Sequence, residues 1–103
     1  MVAPTEKFSL GQVVATANLM HELEARYNEG TQLMLLLMLR RHQSGDWGDT
    51  CAEDAQANEA ALKFGNRILS IYHPEPESDP NFTIWIITER DRSVTTVMLD
   101  EDY

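Results

Sequence analysis

Thr83-Ile-Trp-Ile-Ile-Thr88, followed by Glu89-Arg-Asp-Arg-Ser93 and Val94-Thr-Thr-Val-Met-Leu99, decides how the chain is read. Side chains alternate along a strand, so Phe82, Ile84 and Ile86 point one way and Trp85 and Ile87 the other. The charged stretch between the two apolar segments reads as the tip of a β-hairpin. A first arm that is apolar on both faces calls for cover on both faces, which places it at the centre of a sheet. Upstream, Arg67 to His73 alternates Ile68, Ser70 and Tyr72 against Leu69, Ile71 and His73, and predicts one more strand. Between them, Pro74-Glu-Pro-Glu-Ser-Asp-Pro-Asn81 reads as an exposed connection, because its prolines and acids suit no regular element.

Working back toward the N-terminus, three helices are expected. Thr16 can cap a helix through Tyr27 that carries Leu19, Met20, Leu23 and Tyr27 at helical spacing, with Gly30 free to take positive φ beyond its end. The second helix, from Gln32 to about His42, has an unbroken Leu and Met run without β-branching. A helix apolar all round is a buried one, so it is the expected packing partner of one sheet face. Arg40, Arg41 and His42 close it with positive charge, which suits the negative end of the helix dipole. Thr50-Cys-Ala-Glu53 has capping-box spacing for a third helix ending at Gly65. On that helix Cys51, Ala55, Asn58 and Leu62 share a face, so Asn58 needs a polar partner near the core. Leu10-Gly-Gln-Val-Val-Ala15 predicts a short extra edge strand. The expected fold is α+β: about three helices packed on a three-stranded antiparallel meander, one domain over 1–103, loose at 1–8 and 100–103.

Composition narrows the function classes. The balance of 8 basic to 17 acidic residues, a net charge of -9, disfavours direct nucleic-acid binding and suits a basic partner surface. Cys51 is the single cysteine, so neither an internal disulfide nor a cysteine-rich zinc site is expected, and a reduced, cytoplasmic setting fits. The longest apolar run, Leu33 to Leu39, is far short of the roughly 20 residues that span a bilayer, and no membrane association is expected. His21, His42 and His73 lack metal-ligand spacing, and the scattered glycines form no phosphate cradle. No metal or cofactor is expected.

Several side chains carry possible chemistry. His42 and Asp46 lie across a glycine-containing loop, where a carboxylate can orient an imidazole as general base. Asn58 and Arg67, or Arg92 in place of Arg67, would complete a small hydrolase or nuclease site, with the arginine stabilising anionic charge. The competing reading of Asp46 is a turn acid bonded to nearby amides. Trp47, between Gly45-Asp and Gly48, is either a plug between the second and third helices or an exposed anchor for a partner. Glu89, Arg90, Asp91 and Arg92 form the hairpin tip, and Glu75, Glu77 and Asp79 an acidic loop. With Asp46 and Trp47 these make the expected partner-binding set.

Phe8-Ser-Leu-Gly-Gln-Val-Val-Ala-Thr16, Arg41-His42 with Gly45-Asp-Trp-Gly48, Asn58, Arg67, Leu69-Ser70, Tyr72, Trp85-Ile-Ile-Thr-Glu89, Asp91-Arg-Ser93, Thr95-Thr96 and Tyr103 together carry a resemblance over nearly the whole chain. The sequence resembles a family of small bacterial proteins carried on plasmids, prophages and other mobile elements, some labelled as a restriction-modification subunit. Neither a methyltransferase cofactor loop nor an Asn-Pro-Pro-Tyr motif supports that label here. The family pattern has a proline where this chain has Ala17, and a different ending from Leu99-Asp-Glu-Asp-Tyr103. The resemblance implies a mobile-element setting and no particular activity. The leading expectation is therefore an accessory protein acting by protein–protein interaction on a host protein or nucleoprotein complex, such as an anti-CRISPR or anti-restriction inhibitor. A toxin-like hydrolase using His42 and Asp46 is the alternative, and a structural homodimer the second.

Overall fold

The computed structural model describes residues 6–103. In chain order the elements are β1 (Gln12–Ala15), α1 (Ala17–Arg26), α2 (Thr31–Gln43), α3 (Ala52–Phe64), β2 (Ile68–Tyr72), β3 (Ile84–Thr88) and β4 (Val94–Leu99), with a 3-10 turn at Asp100–Asp102. The fold is α+β. Strands β2, β3 and β4 form the expected antiparallel meander, and β1 adds to β4 in parallel, giving a four-stranded mixed sheet of order β1-β4-β3-β2. The hairpin pairs Ile84 with Leu99, Ile86 with Val97 and Thr88 with Thr95. These residues share one face with Ile68, Ser70 and Tyr72 of β2, as the register requires.

That face is the core. Leu19 and Leu23 of α1 and Met38 of α2 pack there with Tyr72, Phe82, Ile84, Ile86, Val97 and Leu99. A second, smaller cluster joins Trp47, Ala61 and Ile68 beside it. On the opposite face of β3, Ile87 is buried and Trp85 half-buried. Trp85 is roofed by Tyr103, with ring centroids 5.4 Å apart. The helices thus cover one face of β3, and the C-terminal tyrosine packs on the other.

Three expectations need correction. Helix α2 is not buried all round: Leu33, Leu36 and Leu37 are 59%, 49% and 53% exposed, while Met38 and His42 are buried. A cylinder lying on a sheet buries about one stripe, so an all-apolar run leaves apolar surface outside. The residue capping α3 is Cys51, whose Sγ accepts from Asp54 N, and not Thr50. The ends are also tied, not loose, where described. Lys7 N donates to Gln43 O at 2.8 Å, and Phe8 packs against the smaller cluster. Asp102 accepts from the Thr16 hydroxyl at 2.7 Å and from Asn18 Nδ2 at 3.0 Å. Thr16 meanwhile caps α1 by accepting from Leu19 N, so the C-terminal turn and the start of α1 are one hydrogen-bonded unit. Residues 1–5 of the predicted loose lead-in lie outside the described residues.

The two sheet edges are treated differently. On the outer edge of β2, Ile71 N donates to Trp47 O at 3.2 Å and Ile71 O accepts from Asp49 N at 2.7 Å. Leu69 is served by the Asn58 side chain, whose Oδ1 accepts from Leu69 N at 3.0 Å and whose Nδ2 donates to Leu69 O at 2.6 Å. Asn58 is thus the polar residue of α3 that needed a partner, and it stands in for a neighbouring strand. Asn58→Ala is expected to cost about 2 kcal/mol by leaving both Leu69 groups without partners, read as a lowered denaturation midpoint in urea. A loss below about 0.5 kcal/mol would contradict this accounting.

Candidate functional site

The residues singled out for chemistry go to separate places. His42, on the last turn of α2, points at the sheet and is fully buried. Its Nδ1 lies 2.6 Å from Ser70 Oγ and its Nε2 2.9 Å from Thr88 Oγ1. Thr88 Oγ1 is in turn 2.7 Å from Thr95 Oγ1, which donates to Leu10 O at 2.7 Å. The carbonyl at the end of this chain fixes the protons from Thr95 back to the imidazole Nε2. Thr95 has one hydrogen and gives it to Leu10 O, so Thr88 must donate to Thr95. Thr88 then accepts from His42 Nε2–H. Burial pushes the His42 pKa down to about 3, with Arg92 adding a smaller push the same way, so the imidazole is neutral. With its one proton on Nε2, the ring accepts at Nδ1 from the Ser70 hydroxyl.

Asp46 does not meet this ring. Its carboxylate takes two hydrogen bonds from Arg41, at 2.7 and 3.3 Å, and one from Gly48 N at 3.2 Å. The Arg41 bond holds its carboxyl below the usual range. Arg41 lies over the Tyr72 ring, and the Tyr72 hydroxyl donates to Asp46 O at 2.6 Å. Asp46 is therefore the turn acid of the competing reading, pinning the Gly45–Gly48 loop to the helix end and to β2. Asn58 is committed to Leu69, and the Arg67 guanidinium stands 5.3 Å from the Tyr103 ring centre on the far side of the sheet. His42, Asp46, Asn58 and Arg67 do not converge on a cleft.

Trp47 is a plug and not an exposed anchor. It is 6% exposed, donates from Nε1 to Glu59 Oε2 at 2.9 Å, and packs against the rings of Phe8 and His42. Arg92 is likewise drawn inward from the hairpin tip. Its guanidinium donates to Ala61 O at 3.0 Å and Asn66 O at 2.7 Å, closing carbonyls at the C-terminal end of α3. Asp91 Oδ1 accepts from Ser93 N and Oγ, an internal turn bond. Glu89 and Arg90 remain exposed. No local pattern announces the Arg92 cap, because its carbonyls come from another element.

The acidic segments do come together. Glu75 accepts from the Tyr27 hydroxyl at 2.6 Å, and Asp79 from Arg26 at 2.7 Å, which ties the loop down on α1. Glu77 stays exposed. A groove of about 200 Å³ is lined by Glu22, Asp79, Asp100 and Glu101 around Arg26. Arg26 is bonded to Glu22 and Asp79 and stacked over Phe82, 3.8 Å from its ring centre. The loop and the C-terminal turn, far apart in sequence, thus share one negative surface. Arg26 was missed as its hub, although Glu22 and Arg26 have helical i,i+4 spacing.

Comparison with protein-family models, curated proteins and solved structures finds no match. Among the described residues no group of three or more His, Cys, Asp and Glu side chains is placed to hold a metal ion. Among them, too, no helix is long and apolar enough to cross a membrane.

Proposed function

We propose that the protein acts by contact, binding a basic surface of another protein through the acidic groove between α1, the 75–79 loop and the C-terminal turn. The observation carrying this reading is the convergence of Glu22, Asp79, Asp100 and Glu101 around a single, already paired Arg26. Carboxylates gathered on an exposed rim raise encounter rate and select the sign of the partner more than they add affinity. The net charge of -9 extends the same field over the whole molecule. In the mobile-element setting that the sequence resemblance implies, the partner is a host defence protein or nucleoprotein complex, blocked by occupation of its nucleic-acid-binding groove.

Expression in cells carrying different defence systems tests this. The wild-type chain is expected to restore phage or plasmid entry against at least one system. A triple variant, Asp79→Asn with Asp100→Asn and Glu101→Gln, is expected to lose most of that effect, about tenfold or more. The three side chains belong to exposed pairs or solvent, so its thermal stability is expected to change little. A triple variant as effective as the wild type, or a wild type without effect on any system, would count against the reading.

A further inference from the structure

The exposed leucines of α2 form a ridge with a groove on each side. Leu33 and Leu37 border one groove, of about 480 Å³, whose far wall is Tyr72, His73 and Pro74. Leu36 and Leu37 border the other, of about 820 Å³, whose far wall includes Leu10 and Val13 at the open β1 edge. Leu37 thus stands between two hollows, and the same surface offers both a ridge and a place for one. Helices pack by setting ridges of one into grooves of the other.

The charges at the two ends of this ridge point to the occupant. Exposed Glu29 precedes the helix, and exposed Arg40 lies on its last turn in the larger groove. A surface that binds its own copy across a two-fold axis must be self-complementary about a point. Here that point falls midway between Leu33 and Leu36. Turning the helix around it sets Leu33 of one copy against Leu36 of the other, and Glu29 against Arg40, with Leu37 beside the axis. A parallel arrangement would instead place like charges together. We infer that the chain forms a homodimer through antiparallel pairing of its α2 helices, with Leu33, Leu36 and Leu37 at the centre and Glu29–Arg40 pairs at both ends.

The contact is one helix wide, so the dimer belongs with small, reversible interfaces. The acidic balance of each copy opposes its approach at long range, but at physiological salt that repulsion is screened beyond about 8 Å. The acidic groove of the proposed function shares no lining residue with either hollow. Dimerisation and partner binding therefore stand or fall separately.

Sedimentation velocity across a concentration series at 0.15 M salt tests the inference. The wild-type chain is expected to pass from monomer to dimer as its concentration rises. Leu37→Glu is expected to stay monomeric throughout with an unchanged circular dichroism spectrum, since this side chain is half exposed. Arg40→Glu is expected to weaken association about tenfold, and Glu29→Arg together with Arg40→Glu to restore it. The charge exchange does not touch the core, so it remains decisive if Leu37→Glu folds poorly. A wild-type monomer at every concentration overturns the inference, including the case where the ridge binds only a different protein. A dimer that survives Leu37→Glu, or that the double exchange fails to restore, also overturns it.

Discussion

Replacing His42 with alanine is expected to remove about 4 kcal/mol of folding stability, measured by urea denaturation at pH 7.5. The change opens a cavity under the end of α2 where a fully buried ring stood. It also strands the Ser70 hydroxyl, which loses its acceptor, and Thr88 Oγ1, which loses its donor. Against a typical total of about 5–15 kcal/mol, such a loss leaves little folded margin. A cost under about 1 kcal/mol would mean that the ring is not the strut described here.

The same residue sets an acid dependence with a definite sign. Its pKa is about 3 in the folded chain and about 6.5 when unfolded. Below pH 6.5 the unfolded state therefore binds a proton that the folded state refuses. Stability is fully present above the unfolded pKa and falls as pH drops toward the folded one, by on the order of 2 kcal/mol between pH 7.5 and 5. Asp46 and Asp102, whose carboxyls are held low by hydrogen bonds from Arg41 and from Thr16, add their losses only at still lower pH. In His42→Ala the fall between pH 7.5 and 5 should largely disappear. A wild-type chain equally stable at both values would contradict the assignment.

Gly48→Ala is the second large effect, expected at about 3–4 kcal/mol and read in the same denaturation experiment. The residue sits at φ +71°, and an added Cβ would lie 2.1 Å from Ile71 O and 2.7 Å from the Tyr72 ring. Neither neighbour can retreat. Ile71 O is paired with Asp49 N, and the Tyr72 hydroxyl with Asp46 O. The close approach is what lets the 46–49 loop seal the outer edge of β2 and seat Trp47. A variant as stable as the wild type would show that this edge is not held by the loop.

The meander was legible because β2 alternates, β3 is a short β-branched and aromatic run apolar on both faces, and the hairpin charges mark where the chain turns. The helix start at Thr16 and stop at Gly65 were legible for the same local reason: a capping hydroxyl and a left-handed glycine act within a turn. Gly30 takes the expected positive φ but as the N-cap residue of α2, α1 having already ended at an extended Tyr27. What failed was non-local. The parallel pairing of β1 with β4 joins the two ends of the chain, and nothing within Gln12–Ala15 names its partner. The run Leu33–Leu39 hides which stripe is buried, because every position is apolar. His42 and Asp46 looked like a pair from their closeness in sequence, yet helical geometry turns one toward the sheet and the other toward Arg41 and solvent. Arg92, Asn58 and Trp47 have the residue types of a binding site and serve as cap, edge cover and plug.

These assignments share one consequence: His42, Asn58, Trp47 and Arg92 are committed to partners within the fold, while one groove is lined by acids and the α2 ridge by exposed leucines. Nitrogen NMR of the His42 ring tests it most directly. A neutral imidazole protonated at Nε2 alone, unchanged from pH 7.5 to 5, is the expected result. A ring that titrates between pH 6 and 7, or that carries its proton on Nδ1, would contradict it.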